Sequence, residues 1–237
     1  MKTIKVFCIW ILLLTGCASP NINSPAETPM IISTNALPPT PTATPVITAT
    51  STPEPTPLDF SGEGDTVLDI SSWPHLPGVL SYIGQSDNGF FAVVPFGADG
   101  NPMSSICNVN SFDPFKGACL FNADGAYATH LEVKTTGNWI IKINPLTKAN
   151  ALSVPGIFEG NDNDVIVLTG SSPKLATITG NIESQLFIFV PYKIDGTKMI
   201  SLVNTTDPYQ DTVSIDSDTA IIEVMATGSW SVAIADK

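Results

Sequence analysis

Four acids sit in pairs two residues apart, Glu63 with Asp65 and Asp162 with Asp164, each pair just ahead of an apolar run. Oxygen ligands at such a strand entry, joined by backbone carbonyls, suit a hard cation such as Ca²⁺, which takes six to eight oxygens. A solvated, turn-forming acidic loop accounts for the same residues and needs no ion. Two-residue spacing does not set two acids across a substrate cleft, so glycoside hydrolysis is not indicated. The second group of candidates is aromatic. Phe115 follows Asp113-Pro114, Tyr209 follows Asp207-Pro208, and Trp73 stands before Pro74. Exposed, such rings stack on sugars or anchor a protein partner; buried, they close the ends of a β-sandwich. The two histidines, His75 and His130, have no G-x-S-x-G elbow to work with, and zincin spacing and phosphate-binding glycine loops are absent. The chain therefore reads as noncatalytic, with no cofactor beyond the Ca²⁺ alternative.

The elements that must carry these residues repeat. Phe90 to Gly100 matches Leu186 to Gly196, Asn110 to Phe115 matches Asn204 to Tyr209, and Leu131-Glu132-Val133 matches Ile222-Glu223-Val224. Gly137-Asn138-Trp139 matches Gly228-Ser229-Trp230, and the acidic openings Glu63-Gly64-Asp65 and Asp162-Asn163-Asp164 align ahead of them. Landmarks that recur in one order mark an internal duplication. Within each copy the apolar period is two: Trp139, Ile141 and Ile143 alternate with Ile140 and Lys142, and Trp230, Val232 and Ile234 with Ser231 and Ala233. Each Trp then shares a face with aliphatic neighbours and points into a core. Asp99-Gly100 and Asp195-Gly196 have hairpin-turn composition. The expected fold is all-β, two tandem antiparallel β-sandwich repeats over residues 59–149 and 150–237.

Ahead of them, Lys2 and Lys5 precede an apolar run from Val6 to Leu14. Nine residues cannot span a hydrocarbon core, which takes about 20, but they suit a signal peptide. The run ends in Leu14-Thr15-Gly16-Cys17, which resembles the lipobox of bacterial lipoproteins. That resemblance implies cleavage after residue 16 and acylation of Cys17, by palmitate or a similar chain. The membrane is then a partner through the lipid, and stable anchoring takes two acyl chains. Residues 17–58 form a low-complexity linker of Pro, Thr, Ser and Ala, a composition that cannot bury enough surface to order itself. About 40 such residues in polyproline II reach on the order of 100 Å.

Charge narrows the partners. All ten basic residues are Lys, and loss of Lys2 and Lys5 leaves eight against 22 acids. Without Arg, and with that excess of carboxylate, nucleic-acid binding is excluded. The remaining thiols, Cys107 and Cys119, flank the Asp113-Pro114 loop and are expected to form a disulfide outside the cytoplasm. The repeat pattern is also loosely similar to pre-peptidase C-terminal and carbohydrate-binding-type accessory domains, a likeness that assigns no functional residue. The expected role is that of an extracytoplasmic, membrane-anchored binding or interaction module of the cell envelope, for glycan or protein. The alternative is a structural spacer without a specific ligand.

Overall fold

Period-two alternation is what the backbone follows. Trp139, Ile141 and Ile143 are buried while Asn138, Ile140 and Lys142 face outward, and the same alternation runs from Ser229 to Ala235. The computed structural model describes residues 53–85, 90–103, 109–111 and 115–237, with the side chains of 109–111 and 115 left aside. Residues 51–237 cluster as one compact unit. Regular structure among the described residues is strand apart from one 3-10 turn, Leu146–Lys148. No helix among them is long and apolar enough to cross a membrane.

The first eight strands are β1 (Leu58–Glu63), β2 (Thr66–Asp69), β3 (Gly78–Gly84), β4 (Phe91–Gly97), β5 (Val109–Ser111), β6 (Phe115–Phe121), β7 (Ala128–Thr135) and β8 (Asn138–Pro145). They form two antiparallel sheets, ordered β1-β8-β3-β6 and β2-β7-β4-β5. After the 3-10 turn come β9 (Asn150–Val154), β10 (Gly156–Asn161), β11 (Asp164–Gly170), β12 (Leu175–Gly180) and β13 (Phe187–Tyr192). The last four are β14 (Val203–Thr205), β15 (Tyr209–Ser214), β16 (Ile221–Met225) and β17 (Ser229–Ala235). Their sheets are β10-β17-β12-β15 and β14-β13-β16-β11-β9. Strand for strand the order matches the first set, with β9 added parallel to β11.

Three apolar clusters hold these layers. Leu80, Phe91, Leu131 and Ile141 are among the residues packed between the sheets of the first set, and Ile178, Phe189, Ile222 and Val232 among those of the second. A third cluster lies at the junction, where Val79, Leu120 and Ala123 meet Val165, Val190, Tyr192 and Ile221. Full burial of an aliphatic side chain contributes roughly 1.5–3 kcal/mol, so the junction is a true packed interface.

Each signature Trp sits between two glycines on neighbouring strands: Gly62 and Gly84 flank Trp139, and Gly160 and Gly180 flank Trp230. The indole lies over one of those glycines. A Cβ on Gly62 would come within 2.5 Å of Trp139 Cζ2, and one on Gly160 within 2.2 Å of Trp230 Cζ2. The indole nitrogens donate to the carbonyls of Gly64 at 3.0 Å and Asp162 at 2.8 Å.

Candidate functional site

Those two indole bonds fix the true correspondence of the acidic turns. Gly64 and Asp162 take the same place, both at positive φ (71° and 62°). Asp65 therefore corresponds to Asn163, and the match of Glu63 and Asp65 with Asp162 and Asp164 is one residue out of step. The hydrogen bonds agree: Asp65 Oδ1 accepts the Thr135 N–H, and Asn163 Oδ1 accepts the Ala226 N–H, both at 2.9 Å. The acid pairs are not a repeated cation site.

Individually these carboxylates hold the fold. Asp162 Oδ1 accepts the Gly228 N–H at 2.9 Å, and its Oδ2 accepts the Asn161 side-chain amide at 2.7 Å. The Asn150 amide bridges both oxygens of Asp164, at 3.0 and 2.8 Å. Burial raises the Asp164 carboxyl above its ordinary range, against the opposing bonds from Val165 N–H and Asn150. Asp65 also lies 3.8 Å from Lys134, and Glu63 is exposed at the end of β1. Among the described residues no three His, Cys, Asp or Glu side chains gather as a metal site.

Trp73 and Tyr209 do not form one patch, since each packs against a different core. Trp73 is only 3% exposed and belongs to the first core. Its indole donates to the Leu76 carbonyl at 3.1 Å and lies so close to Gly78 that a Cβ there would sit 2.7 Å from the ring. The prolines around it turn the loop so that Trp73 folds inward, which removes it as a ligand platform. Tyr209 is half-buried, packs against the second core, and has its ring centroid 6.4 Å from that of Phe187. The Phe115 side chain lies outside the described residues, as do Cys17 and Cys107. Cys119 is buried, its Sγ 3.5 Å from the Leu80 carbonyl oxygen. The histidines each stack on an aromatic ring, His75 on Tyr127 at 4.5 Å and His130 on Phe96 at 5.0 Å.

What the chain does bring together is a groove at the junction, with a cavity of ≈ 330 Å³. Its floor is the outer face of the β1-β8-β3-β6 sheet. Ile83 and Ile140 are cross-strand partners there, 49% and 41% exposed, and Lys116 and Lys142 rise beside them. Lys142 pairs with Asp59 at 3.3 Å. Asn161 at the end of β10, Asn163 in the turn and Asp164 at the start of β11 form the opposite wall.

Tyr82 ties floor to wall. Its hydroxyl oxygen accepts the Asn163 side-chain amide at 3.0 Å, and Gly117 makes the crossing possible, since a Cβ there would lie 2.6 Å from that oxygen. Burial pushes the Tyr82 phenol well above its ordinary range. The groove thus offers an apolar floor, two ammonium groups, carboxamides and a carboxylate, with no paired nucleophile and base. The repeat pattern shows neither this groove nor its Asn163 wall, because both arise from contact between the strand sets.

No family model matches the chain, and no curated protein matches it. Among solved structures it is similar to the PBSX exported protein XepA, with a TM-score of 0.25 and 9% identity over 77% of this chain and 86% of that one. It is also similar to the regulatory subunit of a cAMP-independent protein kinase A from Trypanosoma cruzi bound to guanosine, with a TM-score of 0.21 and 9% identity over 75% and 72% of the two chains. Likenesses this distant carry no argument about function.

Proposed function

We propose that this protein is a lipid-anchored, noncatalytic binding module of the bacterial cell envelope, held outside the cytoplasm by an acylated Cys17. Residues 17–58 then act as a stalk, and tandem sandwiches over residues 59–149 and 150–237 are what the stalk presents. The observation that carries the binding reading is the junction groove. Ligand sites favour such clefts between packed units, with an apolar surface and a few convergent polar groups. A polar envelope saccharide fits its chemistry: C–H faces against Ile83 and Ile140, hydroxyls toward Lys142, Asn161 and Asp164.

The test is an envelope-glycan array read with residues 51–237. Binding that weakens about tenfold, or roughly 1.4 kcal/mol, in Lys142→Ala and in Ile83→Asp supports the groove. A blank array, or binding indifferent to both substitutions, sinks the saccharide reading. Burial of Trp73 and the core packing of Tyr209 favour a second reading, a rigid spacer with no ligand. A blank array with an intact melt would leave the spacer as the better account.

A further inference from the structure

A strand at the edge of a sheet leaves a row of N–H and C=O groups that must be covered. β6 is such an edge, and the second strand set covers it. Ala118 N–H donates to the Asn163 carbonyl and Leu120 N–H to Glu223 Oε1, each at 3.0 Å. Glu223 stands in a row with Val165 on β11 and Val190 on β13, and the next row sets Ile221 beside Tyr192. Tyr192 O–H donates to Glu223 Oε2 at 2.8 Å. The outer face of this sheet is therefore a receptor for a strand edge, with apolar flanks and a central carboxylate acceptor.

The first strand set builds the same rows. Glu132 stands between Val67 on β2 and Val94 on β4, and His130 stands beside Phe96. Glu132 thus takes the place of Glu223, Val67 that of Val165, and Val94 that of Val190. On this face Val67 is 61% exposed, and Glu132 is held 3.3 Å from Lys134. We propose that the face centred on Glu132, between Val67 and Val94, docks an exposed edge strand of another β-sandwich protein in the way that the Glu223 face holds β6. This inference does not rest on the saccharide groove.

In a second copy of the chain, the strand equivalent to β6 does not supply that edge. The counterpart of β6 is β15, since Gly84 pairs with Phe115 as Gly180 pairs with Tyr209. The register puts Asp211 at the place of Gly117, Thr212 at that of Ala118 and Ser214 at that of Leu120. At Gly117 there is little room: a Cβ would lie 3.2 Å from Asn163 Cβ, and Asn163 corresponds to Asp65 on the open face. Docked there, Asp211 would press one carboxylate on another. The Thr212 N–H is moreover taken by Asp211 Oδ1 at 2.7 Å. The partner edge must instead carry small, uncharged residues at the places of Gly117 and Ala118 and an apolar residue at that of Leu120, as β6 does.

The proposal can be tested by giving β15 the character of β6. Asp211→Gly, Thr212→Ala and Ser214→Leu together, in residues 51–237, should yield dimers and larger head-to-tail species by light scattering. Adding Glu132→Lys should return the protein to monomer. A folded triple variant that stays monomeric at high micromolar concentration overturns the proposal, as does assembly indifferent to Glu132→Lys. If the triple variant does not fold, an amidated peptide copying Lys116 to Phe121, with serine for the cysteine, decides with the unmodified protein. Amide shifts at Val67, Val94 and Glu132, with affinity falling roughly tenfold in Glu132→Lys, support the docking face. Shifts elsewhere only, or none, overturn it.

Discussion

The carboxylate of Glu223 accepts the backbone N–H of Leu120 at 3.0 Å, across 103 residues of sequence, and joins the two strand sets at their packed junction. It is 7% exposed, and no ion pair partners it among the described residues. Burial raises its carboxyl above the ordinary range, although the bonds from Leu120 N–H and Tyr192 O–H oppose that.

The sign of the pH dependence follows. A raised carboxyl binds its proton more tightly in the folded chain than in the unfolded one. Its contribution is full below the unfolded value of about 4.3 and is lost as pH rises toward the folded value. Glu223→Gln keeps an oxygen for Leu120 and has no charge to bury. The variant should melt several degrees above the parent at neutral pH, with the gap closing near pH 4. Melting curves across that range decide it; a variant less stable at every pH would mean that the carboxylate's bonds outweigh its burial.

Gly160→Ala should destabilise by about 1–3 kcal/mol, the usual cost of overpacking, because the new Cβ would fall 2.2 Å from the Trp230 ring. Gly62→Ala should behave alike against Trp139. Denaturant midpoints measure both. Equal stability in both variants would mean that the indoles can shift without cost.

Much of this fold could be read from residue types. The period-two runs ending in Trp139 and Trp230 are strands with buried indoles, and Asp99-Gly100 and Asp195-Gly196 form turns with their glycines at positive φ. The acidic turns misled for a physical reason. Asp162 adopts a backbone conformation that Gly64 supplies on the other side, so matching acid to acid slipped the alignment by one. Residue types left Trp73 open between an exposed platform and a buried plug; the structure buries it in the first core, with its indole donating to the Leu76 carbonyl. Glu223 left one trace, an acid inside the apolar run Ile221 to Met225. What it bonds could not be read locally, because Leu120 belongs to the other strand set, 103 residues away.

Asp162→Ala should cost about 1 kcal/mol, from a lost hydrogen bond and a side chain kept at positive φ. Asp162→Gly should recover part of that, since Gly64 already fills the corresponding place. Chelator or added Ca²⁺ should leave the melting midpoint of the parent unchanged, because the carboxylate oxygens of Asp162 already accept Gly228 N–H and the Asn161 amide. A midpoint that rises with Ca²⁺ would revive the cation reading.

The disulfide expected between Cys107 and Cys119 would close a short loop of the sequence that ends in β6. Such a bridge contributes about 2–4 kcal/mol when unstrained. Cys119→Ser and reduction of the parent should then lower stability by similar amounts, and the two effects should not add. Thiol titration of unfolded residues 51–237 should find no free sulfhydryl before reduction. Two titratable thiols would rule the bridge out.

The anchor governs where all of this operates. One acyl chain holds a protein to a bilayer only marginally, whereas two hold it stably, and an acidic protein gains nothing from an anionic membrane surface. Cys17 is therefore expected to carry the whole of the attachment. Cys17→Ser should leave the precursor unprocessed or release the chain from the membrane fraction, with loss of labelled palmitate in either case. Processing of the parent after Gly16 should appear as a mass shift that the variant lacks. A variant that still sediments with membranes, at the processed size and with label, would place the attachment elsewhere and remove the reason to read residues 17–58 as a stalk.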